Sequence, residues 1–108
     1  MDMLRYQALA QVTANVTAGK TEKILNGCMG LCGEAGECID ALKKHLFQGH
    51  GLDVDHMIEE CGDCLWYVAE LATALGVGLD VVAERNIEKL RKRYPNGFDA
   101  EHSVHRTI

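Results

Sequence analysis

Four acidic residues form two pairs with helical spacing. Glu34 and Glu37 are three residues apart, and so are Glu60 and Asp63. On an α-helix, residues three apart lie on one face within a single turn. Residues 38–59 separate the pairs, which is enough chain to finish one helix, turn, and return antiparallel to it. The two pairs are therefore predicted to face each other across neighbouring helices.

A cluster of four carboxylates requires a cation. Two like charges about 6 Å apart repel by roughly 3 kcal/mol at an effective dielectric constant of about 20. Either a cation neutralises them or some of the acids stay protonated. Ligand sets made only of oxygen atoms favour Mg²⁺, with Mn²⁺ as the alternative, and Mg²⁺ commonly shares its coordination shell with substrate phosphates. Acids at this spacing are also common on solvated helix faces, but their apolar and small neighbours here favour a site.

Two other metal centres are disfavoured. A di-iron bundle needs a Glu-x-x-His pair from two helices, and the sequence has no such pair. A four-thiolate Zn²⁺ site could be drawn from Cys28, Cys32, Cys61 and Cys64. Cysteines at helical spacing are more often core residues, so all five cysteines, including Cys38, are predicted to be reduced thiols in helix cores.

The bulk composition indicates one globular domain over residues 1–108. Hydrophobic residues make up 47% of the chain and charged residues 25%, a balance that excludes a disordered chain. The net charge of −5 gives no basic surface for nucleic acid. The N-terminus does not resemble a signal peptide and no apolar run reaches membrane-spanning length, so the protein is expected to be cytoplasmic and not bound to a membrane.

Apolar periodicity predicts an all-α fold with four helices. Short turns between long helices favour antiparallel neighbours, so the expected architecture is an antiparallel four-helix bundle. Glycine recurs every third residue in the second helix, which favours close helix packing over room for a ligand. The tail from Phe98 has no usable periodicity. The first predicted helix runs over Asp2–Val16, and the second runs from an N-cap at Thr21 to Phe47. The third runs from a cap at Asp53 or Asp55 to Leu75, and the fourth runs from Asp80 to Tyr94.

The fourth predicted helix carries a positively charged stripe. Asn86, Lys89 and Arg93 occur at positions i, i+3 and i+7, beside an apolar stripe that includes Ile87 and Leu90. Cations near a helix C-terminus are favoured by the helix dipole alone. The stripe is consistent with binding of phosphates but does not require it.

Three separated segments together resemble a known family. Gly33–Glu37, Glu59–Tyr67 and Glu84–Pro95 agree in order and spacing with the MazG-like all-α nucleoside triphosphate pyrophosphohydrolases, and the resemblance covers about residues 25–98. It implies that water attacks the α-phosphorus of a nucleoside triphosphate and releases a nucleoside monophosphate and pyrophosphate. It also implies a homodimer or homotetramer, and a role in housecleaning of the nucleotide pool.

The resemblance further implies roles for individual residues. Glu34, Glu37, Glu60 and Asp63 match the Mg²⁺ ligands, and either Glu37 or Glu34 would accept the proton of the attacking water. The resemblance further implies that Asn86 and Lys89 hold phosphates, that Lys89 stabilises the leaving pyrophosphate and that Tyr67 lines the nucleotide pocket. Arg93, in the same stripe as Lys89, is a further candidate for substrate binding. Trp66 could stack on a base, but the core or an interface is favoured for it.

Two alternatives remain open at this point. A phosphoribosyl-ATP pyrophosphohydrolase shares the fold and a helix pair that bears carboxylates, and a non-catalytic helical module could bind nucleotides or a protein through the same face. The Trp66-Tyr67 segment and the segment from Asn86 to Pro95 argue against the first alternative.

Overall fold

The structure, a computed structural model, describes residues 1–107 and contains five α-helices. No β-strand occurs in this described part of the chain, so the prediction of an all-α fold is confirmed. A short 3₁₀ helix over Gln11–Thr13 follows the first α-helix. The helices are α1 (Met3–Ala10), α2 (Lys20–Phe47), α3 (Val54–Ala74), α4 (Leu79–Arg93) and α5 (Ala100–Val104).

Helix α1 is shorter than predicted. It ends at Ala10 rather than Val16 because the Ala10 carbonyl accepts hydrogen bonds from the Trp66 indole N–H (3.2 Å) and the Thr13 hydroxyl (3.1 Å). Those bonds compete with the amide that would continue the helix. Val12 and Val16, which lie beyond that end, are 80% and 77% exposed, and the buried residue of α1 is Ala10.

Helices α2 and α3 pack against each other as an antiparallel hairpin. The side-chain carboxylate of Asp53 accepts a hydrogen bond from the His56 amide (3.0 Å) and so caps α3. Two of the glycines of α2 lie in close contact with α3, because a Cβ on Gly27 would collide with Leu71 and a Cβ on Gly30 would collide with Tyr67. Close packing is therefore confirmed for these two glycines, whereas Gly33 and Gly36 have open space beside them.

A sharp corner separates α3 from α4. Gly76 (φ +75°) ends α3, with its own amide bonded to the Thr73 carbonyl and the Val77 amide bonded to the Ala72 carbonyl. The axes of α3 and α4 differ in direction by 101°. That angle is far from the near reversal of an up-and-down bundle, so α4 is not an antiparallel neighbour of α3. Residues 1–107 do not form a regular four-helix bundle.

Gln7 of α1 holds this corner in place. Its side-chain amide donates to the Thr73 hydroxyl and to the Val77 carbonyl, both at 3.0 Å, and its amide oxygen accepts from the Leu79 amide at 2.7 Å. A small core of Ala10, Ala69 and Leu79 lies beside it, with Trp66 packed against that core. The corner is thus the best-packed part of the chain.

The hairpin, in contrast, leaves much apolar surface exposed. Gly27 is the only buried residue of α2, so this helix covers little of its apolar surface within the single chain. Cys28, Cys32 and Cys61 are exposed and only Cys38 and Cys64 are half-buried, which corrects the prediction that the cysteines are core residues; all five are free thiols. The large exposed side chains of α2 are Leu25, Met29, Ile39, Leu46 and Phe47.

Two further differences concern the ends of helices. The N-cap of α2 is Gly19, not Thr21, and α4 begins at Leu79 with Gly78 as its N-cap. The tail forms α5, which begins where the Asp99 side chain accepts a hydrogen bond from the His102 amide (2.7 Å). Within residues 1–107, no single helix is long and apolar enough to cross a membrane; only the bent pair α3 and α4 reaches that length and composition together.

Candidate metal centre

Three of the four predicted ligands converge between α2 and α3. One carboxylate oxygen from each of Glu34, Glu60 and Asp63 lies within 4.8 Å of the other two. Glu34 comes from α2 and the other two from α3, as the two-pair spacing predicted. In the chain up to residue 107, this is the one group of three or more acidic, cysteine or histidine side chains with metal-binding spacing.

Glu60 is the buried member of the group. It is 8% exposed, and its Oε2 atom is buried without a hydrogen-bond partner. Its Oε1 atom lies 3.5 Å from Nε2 of His56, one turn earlier on α3. A buried carboxylate oxygen without a donor is unfavourable, so this oxygen is available to coordinate a cation.

The electrostatics of Glu34 reflect the crowding of acids. Its pKa is raised, mainly because its carboxyl group shares a hydrogen bond with Glu60, and further by desolvation and by the negative charges of Glu60 and Asp63. The crowding of negative charge therefore makes the ionised form of Glu34 less favourable when no cation is bound. A divalent cation among the three oxygens would supply the missing positive charge, and a donor set made only of carboxylates suits Mg²⁺ or Mn²⁺ better than Zn²⁺.

Glu37 is not part of this group of three. It is exposed on α2 one turn beyond Glu34, and it lines a shallow cavity with Asp40, Lys44 and His56. Its negative charge contributes to the raised pKa of Lys44, whose main cause is the hydrogen bond with Asp40. Glu37 thus lies at the edge of the cluster, on the side of the loop that joins α2 to α3.

Tyr67 lies one turn after Asp63, on the side of the cluster away from that loop. Its ring rests on the backbone of Gly30 and contacts the Trp66 ring edge-to-face, with 5.0 Å between the ring centroids. Trp66 itself is half-buried and donates its indole N–H to Thr13 (2.9 Å) as well as to Ala10. Trp66 therefore packs between α1 and α3, in line with the favoured interpretation.

The positively charged stripe of α4 lies apart from the acids. Asn86 and Lys89 are exposed and Arg93 is half-buried, with its guanidinium 5.9 Å from the centre of the Tyr94 ring. Helix α4 packs against α1 and α3 at the corner, whereas the acids lie near the middle of the hairpin. Within residues 1–107, the charges that act on Glu34 come from Glu60 and Asp63 and include no cation of α4.

Sequence reasoning missed a second buried acid, Glu70. It lies seven residues after Asp63 on α3, is 5% exposed, and its Oε1 atom has no hydrogen-bond partner. It lines a cavity of about 250 Å³ together with Trp66 and polar residues of the α1–α2 connection and α2. The available signal was a charged residue inside the apolar segment Val68–Ala72, at the same helical phase as Asp63.

Comparison with known proteins identifies the family. The MazG nucleotide pyrophosphohydrolase domain matches residues 22–98, so the chain belongs to that family and the resemblance seen in the sequence is confirmed. The gene 37 protein of Mycobacterium phage L5 is 44% identical over 73 residues, which cover 64% of this chain and 64% of that protein. The chain therefore matches less than two thirds of that relative's length, and the relative's name states no activity. No solved structure matches the chain.

Proposed function

We propose that the protein hydrolyses a nucleoside or deoxynucleoside triphosphate to the monophosphate and pyrophosphate in the presence of Mg²⁺. The observation that carries the proposal is the convergence of Glu34, Glu60 and Asp63 from two helices in a chain of the MazG family. Membership of that family implies a pyrophosphohydrolase. Our proposal adds the substrate, a nucleoside triphosphate, and the metal ion, Mg²⁺.

The acids of α2 and α3 suit a phosphate-bound cation. Bound Mg²⁺ would supply a Lewis acid for the phosphate oxygens and lower the pKa of the attacking water. Glu60 offers a buried oxygen without a donor, and Glu34 and Asp63 offer the oxygens beside it. We assign Glu37, at the edge of the cluster, the role of a fourth carboxylate on the solvent side. We assign it, or Glu34, the role of accepting the proton of the attacking water.

The remaining substrate contacts involve Tyr67 and α4. Tyr67 lies between the acids and the cavity at Glu70, where it would line the path of the nucleotide. We assign Asn86, Lys89 and Arg93 to the phosphates, with Lys89 at the leaving pyrophosphate. Because α4 packs at the corner and not over the acids, these residues would reach the phosphates from a second copy of the chain.

A homodimer or homotetramer is therefore part of the proposal. The exposed apolar side chains of α2 support it, since monomeric proteins rarely expose large contiguous apolar surface. A second hairpin packed on that face would cover these side chains and bring an α4 helix from another copy towards the acids. Light scattering of the purified protein tests the oligomeric state directly.

The decisive experiment is an assay of pyrophosphate release across canonical and modified nucleoside triphosphates, with Mg²⁺ and with the metal removed. We expect metal-dependent release of pyrophosphate, and oxygen-18 from labelled water in the monophosphate product. Label in the pyrophosphate would contradict attack at the α-phosphorus. Turnover of phosphoribosyl-ATP but of no nucleoside triphosphate would reassign the enzyme, and no turnover of either would leave a binding module.

A further inference from the structure

The cavity beside Glu70 lies between the start of α2, the chain before it, and the second half of α3. Its volume is about 250 Å³. That is below the roughly 300–1,000 Å³ of pockets that enclose a whole drug-sized ligand, so it suits one planar ring system rather than a complete nucleotide. Its walls combine the Trp66 ring and Ala18 with polar groups of Asn15, Glu22, Lys23, Asn26 and Glu70, of which Glu22 is exposed and Glu70 is buried.

Glu70 is the chemically unusual residue in the lining of this cavity, because it is a buried acid. The residue is 95% buried, as its 5% exposure shows, and its Oε1 atom has no hydrogen-bond partner. An ionised carboxylate can only accept hydrogen bonds, and a buried acceptor without a donor is unfavourable. Because Glu70 lines the cavity, a ligand with N–H donors would supply partners to its carboxylate group.

Trp66 provides a rigid aromatic wall next to this carboxylate. Its indole N–H is already bonded to Thr13 and Ala10, which fixes the ring, and the residue forms part of the cavity wall. Planar heteroaromatic rings stack on aromatic faces whatever their hydrogen-bonding pattern. The combination of an aromatic face and a carboxylate acceptor is suited to a nucleobase.

The position of the cavity relative to the acids also fits a nucleotide. Glu70 follows Asp63 by seven residues, which is two helical turns on the same face, or about 10 Å along α3. Lys23 and Asn26 lie on α2 two to three turns before Glu34, towards the same end of the hairpin. Phosphates held at the acids would therefore leave the sugar near Tyr67 and the base near Glu70.

We infer that this cavity binds the base of the substrate and that Glu70 selects a base edge with two adjacent N–H donors, the edge that guanine presents. The inference rests on the proposed function for the placement of the phosphates. Guanine offers N1–H and the N2 amino group side by side, and a carboxylate accepts both. Adenine and cytosine offer one donor beside a ring acceptor, and thymine offers one N–H between two carbonyl acceptors, so the carboxylate disfavours them in that order.

A binding experiment tests the cavity without turnover. Trp66 is the only tryptophan in the chain, so its fluorescence reports on ligands at this cavity. Deoxynucleoside monophosphates are titrated in Mg²⁺, with deoxyinosine monophosphate as the matched ligand that lacks only the N2 amino group. We expect dGMP to bind about 10- to 100-fold more tightly than dIMP, as for one lost hydrogen bond to a charged group. Equal affinities, or no fluorescence change with any of them, would overturn the inference.

The variant Glu70→Gln sharpens the test. Glutamine replaces one acceptor with an N–H₂ donor, which matches the donor–acceptor edge of adenine or cytosine, so preference should move from dGMP to dAMP and dCMP. Glu88→Gln, the same change on the exposed face of α4, is the matched control and should keep the preference of the unaltered protein. An unchanged dGMP to dIMP ratio in a folded Glu70→Gln protein would contradict the inference; if that variant does not fold, the comparison of dGMP with dIMP on the unaltered protein decides.

The two proposals fail in different ways. Metal-dependent release of pyrophosphate at equal rates from all deoxynucleoside triphosphates would refute base selection by Glu70 and leave the proposed function intact. Selective binding of dGMP without any turnover would refute the proposed function and support the cavity as a nucleobase site.

Discussion

The two buried acids of α3, Glu60 and Glu70, resemble each other in burial but differ in their neighbours. Both are less than 10% exposed and both have one carboxylate oxygen without a partner. Glu60 has two other carboxylates within 4.8 Å, whereas Glu70 shares its cavity with an aromatic ring, two asparagine amides, a lysine and one exposed acid, Glu22. The difference teaches that a buried acid does not define a site by itself, because its neighbours decide whether a cation or a set of N–H donors completes it.

The largest expected effect is a loss of turnover at the metal centre that does not depend on the base of the substrate, in contrast to the effect expected at Glu70. Asp63→Asn removes one of the three converging carboxylates, and we expect turnover to fall by about 100-fold or more, since a catalytic metal contributes several kcal/mol to the transition state. The loss should be the same for every nucleotide, because the acids contact phosphates and not the base. Steady-state rates with guanine and thymine nucleotides measure this.

The same assay tests Glu37, which lies outside the group of three. Glu37→Gln should cause a comparable loss if it is the fourth carboxylate, whereas Glu88→Gln on exposed α4 should retain the original rate. Unchanged turnover in both Asp63→Asn and Glu37→Gln would defeat the assignment of the metal centre.

Stability in the presence of metal gives the second contrast. Mg²⁺ at a hundred times its dissociation constant should raise the free energy of unfolding by about 2.7 kcal/mol, because it binds only the folded chain. Glu60→Gln should lose this gain and be more stable than the unaltered protein without metal, since it removes repulsion among the acids. Glu70→Gln should keep the gain. Thermal unfolding with Mg²⁺ and with a chelator measures all three, and an equal gain in both variants would erase the distinction between the two acids.

The contact between Gly30 of α2 and Tyr67, which lies between Glu60 and Glu70 on α3, gives a third, smaller effect. Gly30→Ala places a Cβ against the Tyr67 ring and should lower the free energy of unfolding by about 1–3 kcal/mol, as over-packing does. Gly33→Ala is the matched control on the same helix, and because nothing lies within 4 Å of it it should stabilise the chain by up to about 1 kcal/mol. Chemical denaturation measures both, and equal effects would show that Tyr67 does not pack closely on α2.

The smallest expected effect concerns α4. Lys89→Ala should weaken binding of a triphosphate by about tenfold, or about 1.4 kcal/mol, and leave binding of the monophosphate unchanged, because Lys89 is assigned to the leaving pyrophosphate. Competition binding with both nucleotides measures the ratio. Equal losses for the two nucleotides would argue against this role.

Local rules predicted the part of the fold that local interactions determine. The cap at Asp53, the turn at Gly76 and the pairing of Glu34 with Glu60 and Asp63 all follow from capping, turn and helical spacing. The end of α1 could not be predicted, since the Ala10 carbonyl is bonded by Trp66 from 56 residues away. The cavity at Glu70 was missed for the same reason, because three separate parts of the chain form its walls.

The exposure of the apolar residues of α2 was missed for a different reason. Periodicity identifies which face of a helix is apolar, but not which element covers that face. For Ile39 and Met29, no element of the chain does so within residues 1–107, where they are 63% and 65% exposed. The direction of α4, set by the corner, is the feature that leaves this face open.

The hydrogen bonds of Gln7 have a consequence for the order in which the chain folds. Gln7 is bonded to Thr73, Val77 and Leu79, which are 66 to 72 residues later in sequence. During synthesis, α1 would leave the ribosome long before its partners exist, while α2 and α3 can pair as soon as both are made. Early folding should therefore begin at the hairpin, and docking of the N-terminal helix should be the late step that makes the chain resistant to proteases.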